Sequence, residues 1–337
     1  METVRIRRRE RRKKRNKWII GALLLMLLAG MGVLPFAMQA VQTASQIYAP
    51  LERLPSEPRL SSSQAPKQEG YNYTDESAHS ANTAASGEPV KSTTFLLVGV
   101  DRDSTDTDIG RADVILLAVM NPSAQKLTLL SIPRDTYVDI AGKGYKDKIN
   151  HSYRYGMNTV IATVENFTGV LVDHYVAFNF DGFVKAIDAI GGLTLKIDEG
   201  VAEELGIPSG HRHLDGRQAL EFARFRDDGK GDFGRNDRHQ EVLAAVLEQT
   251  RAVRSPAMVR EVLETVGEDV RTDLAFTQIV SLVADADVFG ESDVERLKYK
   301  AQTARLGPQN LSYVIIQEAE RERISEELKQ AADAAGQ

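Results

Sequence analysis

Residues 18–38 constrain this chain more than any other feature. The run is 21 residues long and carries no charge and no polar group except one indole N–H. Wound as a helix at ~1.5 Å per residue it would be about 31 Å long, close to the ~30 Å hydrocarbon layer of a bilayer. Ten Lys/Arg and two Asp/Glu fill residues 1–17, and no charged residue follows the run until Glu52. Basic residues stay on the cytoplasmic side of a span. The pattern therefore predicts a single-pass protein of the cell membrane: a basic cytoplasmic segment 1–17, a transmembrane helix 18–38, and an extracellular remainder. A cleaved signal peptide fits less well, because its apolar core is usually ~7–15 residues and Ala37 and Ala40 make a poor cleavage site.

Composition narrows the chemistry of that remainder. Of the 42 Lys/Arg and 48 Asp/Glu in 337 residues, positions 18–337 keep 32 and 46, a net charge of −14. A surface this acidic repels nucleic acid. The absence of cysteine excludes a disulfide framework, thiolate metal sites and a cysteine nucleophile. In residues 39–92, 22 of 54 positions are Ser, Ala or Pro and no hydrophobic period persists. This stretch reads as a flexible linker whose ends would average roughly 40 Å apart. The folded domain is then 93–337.

Within that domain, 94–100 (TFLLVGV), 114–120 and 126–132 are apolar runs of strand length. Asn121-Pro122-Ser123-Ala124-Gln125 joins the last two as a hairpin. Further elements are predicted as a helix at 158–168, a strand at 174–180, and a helix at 181–190 closed by Gly191-Gly192. A strand at 193–198, a short helix 215–220 capped by Asp215, a strand near 222–226 and a helix 234–251 follow. Beyond 255 the pattern is mainly helical, with one strand near 312–316. Interleaved strands and helices with one clear hairpin predict an α/β fold, a mixed central β-sheet flanked by helices.

The charges then fall into place. Asp101 lies past the first strand and Asp113 before the second. Their connection is short for a parallel crossover, so the strands are expected to be antiparallel, with both carboxylates at one sheet edge. The third strand ends at Ile132-Pro133, which brings Arg134 and Asp135 to the same edge. Arg224 and Arg226 share a side if their segment is extended. Arg235 and Arg238 fall in the first turn of the next helix, where cations oppose the macrodipole. Either a ligand anion sits between them and the helix N-terminus, or they pair with Asp227, Asp228, Asp232 or Asp237; the spacing does not choose. Arg suits phosphate because its planar fork donates two parallel hydrogen bonds. Two carboxylates beside such a cluster suit a pyrophosphate with a hard divalent cation, Mg²⁺ or Mn²⁺. His211 and His213 read as part of a solvated polar loop, with no transition-metal site.

Seven segments in order carry a resemblance: FLLVGVD (95–101), GRADVILLAVMNP (110–122), LTLLSIPRDTYVDI (127–140), KDKINHSYRYG (146–156), HYVAFNFDGFVKAIDAIGGL (174–193), LDGRQALEFARFR (214–226) and GDFGRNDRHQ (231–240). Together, over 95–240 and after a single anchor, they resemble the LytR-CpsA-Psr (LCP) family of cell-wall glycopolymer ligases. The resemblance implies the LCP-like α/β/α fold and a pyrophosphate site. Asp101 and Asp113 match the acidic pair associated with Mg²⁺, Arg134 the arginine of the Ile-Pro-Arg-Asp segment, and Lys148 the lysine before Ile-Asn. Arg224 and Arg226 match the paired arginines; Arg235, Arg238 and Gln240 match the Gly-Arg-x-x-Arg-x-Gln stretch. Asp101, Asp113, Arg134, Arg224 and Arg226 are thereby the implied catalytic set. Ala112-Asp113-Val114 replaces the usual Ser-Asp-Thr, Met157 a glycine, and His239 a glutamine.

The implied reaction is phosphoryl transfer. An undecaprenyl-pyrophosphate-linked glycopolymer, such as a teichoic acid or capsular polysaccharide, is passed to a peptidoglycan hydroxyl and undecaprenyl phosphate leaves. Asp101 or Asp113 would assist deprotonation of that hydroxyl. Phe178, Phe180, Phe183 and Ile187 either line a lipid groove or are plain core. Three other readings compete with it. A pyrophosphatase acting on the same carrier would use the same groups with water as acceptor. A membrane-tethered transcriptional regulator lacks a basic surface outside residues 1–17. A non-catalytic lipid-glycan binding module leaves the carboxylates without a purpose.

Overall fold

The computed structural model describes residues 47–51, 92–101, 110–226, 231–250, 255–285 and 293–333. The predicted span 18–38, the basic segment and most of the linker lie outside these residues. Among the described residues no helix is long and apolar enough to cross a membrane.

The chain opens with β1 (Thr93–Asp101), β2 (Arg111–Asn121) and β3 (Lys126–Ser131), then the small hairpin β4 (Tyr137–Asp139) and β5 (Lys146–Lys148). A 3₁₀ helix (Ile149–Tyr155) leads into α1 (Met157–Thr168), β6 (His174–Asn179) and α2 (Phe180–Ala189). Next come β7 (Leu193–Ile197), α3 (Glu199–Leu205), β8 (Gly210–Leu214), α4 (Gly216–Arg224) and α5 (Gly231–Thr250). The last third holds α6 (Pro256–Val266), β9 (Val270–Thr272), α7 (Phe276–Asp285), β10 (Val294–Leu297), β11 (Gln302–Leu306), β12 (Leu311–Ile315) and α8 (Glu318–Asp333). The main sheet runs β10-β3-β2-β1-β6-β9. β2 is antiparallel to β1 and β3, while β6 is parallel to β1 and β10 to β3, so the sheet is mixed as expected.

Burial on both faces explains the continuous apolar runs. Side chains alternate along a strand, so Leu96, Val98 and Val100 with Ile115, Leu117 and Val119 point to one side. There they meet Val160 and Val164 of α1 and Ile324 and Leu328 of α8. Phe95, Leu116, Ala118 and Met120 point to the other, against Leu243 and Leu247 of α5 and Ile279 of α7. A satellite core built on the β7–β8 hairpin gathers Leu193, Leu195, Ile197, Val201 and Phe222.

Several expectations are corrected. Residues 47–51 are part of the fold rather than of the linker. Ile47 is buried, Tyr48 forms a parallel bridge to Thr272, Ala49 N–H donates to the Thr272 carbonyl at 2.8 Å, and Tyr175 Oη donates to the Ala49 carbonyl at 2.8 Å. Unpaired groups on the β9 edge account for this docking. The predicted strand 222–226 does not form: α4 continues to Arg224 and ends on Phe225, whose backbone is extended. The described residues beyond 255 include four strands, of which β9 and β10 have three and four residues, too few for a periodic signal. His211 and His213 lie on β8, both on its exposed side.

Candidate functional site

One edge of the main sheet collects the ends of β1, β3, β6 and β10 and the starts of β2 and β9, as the strand polarities require. Asp101 ends β1, opposite Arg111. Asp113 is not before β2 but inside it. The register passes from Val100↔Ala112 to Gly99↔Val114, so Asp113 is the extra residue of a β-bulge. A bulge re-aims the side chain it carries. Arg134 Nη1 donates to Asp113 Oδ1 at 2.7 Å, with the two side chains 21% and 17% exposed.

The loop bearing Arg134 is fixed by backbone hydrogen bonds. Asn150 N–H donates to the Arg134 carbonyl at 3.1 Å, Ile149 N–H to Thr136 at 2.9 Å, and Val314 N–H to Asp135 at 2.9 Å. Thr136 Oγ1 closes the turn on the Pro133 carbonyl at 2.6 Å. Beside it, Lys148 Nζ lies 3.0 Å from Asp135 Oδ1. Asp135 reaches this edge as expected, and its pairing with Lys148 depends on the β4–β5 hairpin, which no sequence pattern announces.

Arg224, the last residue of α4, approaches the same edge from the neighbouring helix. The Arg224 guanidinium stacks on the Phe180 ring, 4.7 Å from its centroid, and Phe180 follows Asn179, whose register partner is Val100 of β1. Arg224 and Arg226 are both exposed, and Phe225 between them is buried. Arg238 Nη2 donates to the Phe225 carbonyl at 2.6 Å and its guanidinium lies 5.1 Å from the Phe225 ring. Ser131 Oγ, just before the Arg134 loop, donates to the Asn236 carbonyl at 3.3 Å. Ser131 thus ties the end of β3 to α5, Arg238 ties α5 to Phe225, and Arg224 beside Phe225 stacks on Phe180.

Other expected site residues stand differently. Arg235, Arg238 and Gln240 are buried, and the Gln240 amide donates to the Leu297 carbonyl at 3.3 Å. Because α5 begins at Gly231, Arg235 and Arg238 lie beyond its first turn, where the helix macrodipole no longer favours an anion beside them. Asp237 pairs with Lys298 at 2.7 Å. His239 is held neutral: burial, then the Arg235 and Arg238 charges, lower it from 6.5 to about 3. Ile187 is core, 2% exposed among Leu193, Leu195 and Phe222. Phe178, Phe180 and Phe183 are half-buried at the site edge, with the rings of Phe178 and Phe183 6.1 Å apart.

Sequence reasoning missed Asp269. It sits at the same edge ahead of β9, accepting from Asn179 Nδ2 at 2.8 Å and Lys185 Nζ at 2.5 Å. It lies in a short turn within a stretch read as helical, so no pattern marked it. Among the described residues no three His, Asp or Glu gather as a ready-made metal cluster. Among the described residues the charged oxygens beside Arg134 and Lys148 are the carboxylates of Asp113 and Asp135, which suits a hard cation that keeps most of its own water.

The LytR_cpsA_psr family model matches residues 59–330. A relative from Halalkalibacterium halodurans, polyisoprenyl-teichoic acid–peptidoglycan teichoic acid transferase TagU, is 37% identical over 239 residues, 70% of this chain and 77% of its own. TagU of Oceanobacillus iheyensis is 33% identical, with 82% and 83% covered. The crystal structure of Bacillus subtilis TagV superposes with a TM-score of 0.64 at 31% identity, covering 72% of this chain and 98% of that one.

Proposed function

The chain belongs to the LytR_cpsA_psr family, and from that premise we propose that it is the transferase that joins an anionic glycopolymer to peptidoglycan. The donor is a teichoic acid or capsular chain carried on a polyprenyl diphosphate. The observation that carries the reading is the Arg134–Asp113 pair at 2.7 Å on a sheet edge beside which the Arg224 guanidinium stacks on Phe180.

Each residue then has a task. Arg134, Arg224 and Arg226 bind the diphosphate through charge-assisted forks. Lys148 adds a point charge, shared with Asp135. Arg238 acts as a positioning residue, since its bond to the Phe225 carbonyl fixes the segment between Arg224 and Arg226. A hydroxyl of the glycan strand attacks the sugar-bearing phosphorus. The bond from that phosphorus to the bridging oxygen breaks, and polyprenyl phosphate leaves with the electron pair. Asp101 or Asp113 takes the hydroxyl proton. Asp101 and Asp113 would also hold Mg²⁺, which when bound supplies charge neutralisation at the diphosphate. The half-buried rings of Phe178, Phe180 and Phe183 give the first prenyl units an apolar seat. Residues 18–38 anchor the domain to the outer face of the membrane, and no nucleic acid is involved.

The test is the full-length protein in vesicles with a polyprenyl-diphosphate-linked teichoic acid and peptidoglycan oligosaccharides. A phosphodiester-linked product identified by mass spectrometry supports transfer. Release of polyprenyl phosphate with water as the sole acceptor would make the protein a pyrophosphatase instead.

A further inference from the structure

Residues 47–51 lie along the β9 edge, and the direction in which they run is fixed. Tyr48 bridges Thr272 in the parallel sense, and Ala49 N–H donates to the Thr272 carbonyl at 2.8 Å. β9 is antiparallel to β6, and β6 is parallel to β1. The segment therefore runs against β1, from the edge that holds Asp101 toward the edge where β1 begins. Tyr48 stands level with Thr272, Val176 and Leu97 across the sheet, and Ile47 is one residue nearer the site. Traced from Ile47 toward the N-terminus, the chain leaves the fold on the side of the site edge.

The segment is clamped to the domain. Ile47 is 1% exposed, Tyr175 Oη donates to the Ala49 carbonyl at 2.8 Å, and Ala49 and Leu51 pack against the core that holds Val98 and Val160. The clamp divides the chain ahead of β1 into two lengths. Eight residues, 39–46, separate it from the apolar run 18–38, and chain of that length spans at most ~32 Å from Met38 to Ile47. The 40 residues 52–91 begin and end toward the other end of the sheet, where β1 starts, so they add nothing to that reach.

We propose that this clamp holds the domain on the outer face of the bilayer with its site edge turned toward the lipid head groups. The partner surface is the outer leaflet itself. This deepens the transferase reading and rests on its assignment of residues 18–38 to the membrane. From the level of Ile47 to that of Asp101 is about 10 Å along the strands, and a head-group layer adds ~5–8 Å. The available chain covers that path with slack. A domain turned the other way would need the chain to run back to the level of Thr93, about 17 Å, before crossing the same layer, which would take up most of the reach. At the site edge the Arg224 guanidinium stacks on the Phe180 ring. A cation over an aromatic ring suits the boundary between head groups and hydrocarbon. A polyprenyl-linked diphosphate then meets the site at head-group depth while its prenyl chain stays in the bilayer.

The chain has no cysteine, so one introduced cysteine carries the only thiol label. Full-length protein is placed in lipid nanodiscs whose head groups bear an acceptor dye. The donor dye is attached through Glu268→Cys, exposed ahead of β9 at the site edge, or through Leu171→Cys, 65% exposed ahead of β6 at the opposite edge. Energy transfer is stronger from position 268 than from position 171. Ile47→Asp/Ala49→Pro removes the buried side chain and the donated N–H, and the two positions then transfer alike. In that variant the tether grows from 8 to 54 residues. Local concentration falls roughly as the −3/2 power of length, so KM for a donor embedded in the bilayer rises by about tenfold. KM for a short-chain, water-soluble donor stays as it was. Equal transfer from the two positions with the clamp intact, or stronger transfer from 171, overturns the orientation. Unequal transfer that persists in the clamp variant overturns the role of the clamp. A protein that alkaline carbonate strips from vesicles contradicts the assignment of residues 18–38 and the orientation with it. Labels ordered as expected in a protein that joins no glycopolymer to peptidoglycan contradict the transferase reading alone.

Discussion

Arg134 and Asp113 are 21 residues apart in sequence and form an ion pair of 2.7 Å across the edge of the sheet. Two features of the backbone make that distance possible. The bulge opposite Gly99 and Val100 turns Asp113 toward the edge, and the bonds from Asn150 and Val314 hold the loop that follows Pro133. The pair keeps a guanidinium in place where a diphosphate would need it.

Arg134→Ala removes one partner of a partly buried, charge-assisted bond. The expected loss of stability is about 1.5–3 kcal/mol, which a domain of this size survives, while transfer falls to background. Thermal denaturation and the transfer assay, run side by side, separate these effects. A variant that transfers normally would falsify the site.

Gly99→Ala tests the bulge. An added Cβ would lie 2.8 Å from Val114 Cγ2 and 2.9 Å from Val114 Cβ, and a rotamer change cannot move the latter. The expected cost is ~1–3 kcal/mol. Transfer should fall more than stability suggests, roughly 10- to 100-fold, because Asp113 moves with Val114. Equal activity per folded molecule would mean that the bulge has no part in aiming Asp113.

Arg224→Lys keeps the charge and loses the fork and much of the stacking on Phe180. Stability should change by only ~0.5–1 kcal/mol, the scale of an exposed cation–π contact. Transfer should drop at least tenfold if bidentate phosphate binding matters. The comparison is kcat/KM for the donor in the two proteins.

His239 gives the fold a pH dependence. In the native state it stays neutral down to about pH 3, while an unfolded chain protonates near the ordinary 6.5. Between those values the unfolded state binds one more proton. Stability therefore falls as the pH drops below ~6.5, by up to about 1.4 kcal/mol per unit. His239→Gln should flatten the fall in Tm between pH 6.5 and 4.5; identical slopes would show that His239 is protonated in the folded protein.

Tyr175→Phe removes the hydroxyl that fastens residues 47–51 to the domain. Burial, then the Asp273 charge, raise that phenol to about 12, so the bond persists well into alkaline solution. In the variant, hydrogen exchange at Ala49 N–H should quicken while β1 is unchanged. Unaltered exchange would mean that the Thr272 bond alone holds the segment.

Much of this was legible in the amino-acid sequence because the informative features are topological. The apolar runs of β1 and β2 and the hairpin at Asn121-Pro122 suffice to bring Asp101, Asp113 and Arg134 to one edge. What escaped depends on local geometry without periodicity. The bulge at Asp113 changes no residue pattern, and α4 extends through Arg224 although Phe222 and Phe225 suggest a strand. β9 and β10 are too short to announce themselves. Burial of Arg238 and Gln240 was unreadable because a buried arginine looks in sequence like an exposed one until its partner, here the Phe225 carbonyl, is known. Ile47–Leu51 lie in a Ser/Ala/Pro-rich stretch, and only the edge at Thr272 reveals them as part of the fold.

The central claim is that one diphosphate meets Arg134, Arg224 and Arg226 together. A crystal structure of residues 47–337 with Mg²⁺ and a short-chain polyprenyl diphosphate tests it directly. The account predicts phosphate oxygens within hydrogen-bond distance of all three guanidinium groups, with the prenyl chain leaving past Phe178 and Phe180. A diphosphate bound away from the Arg134–Asp113 edge, or one touching Arg134 while Arg224 and Arg226 face solvent, would contradict it.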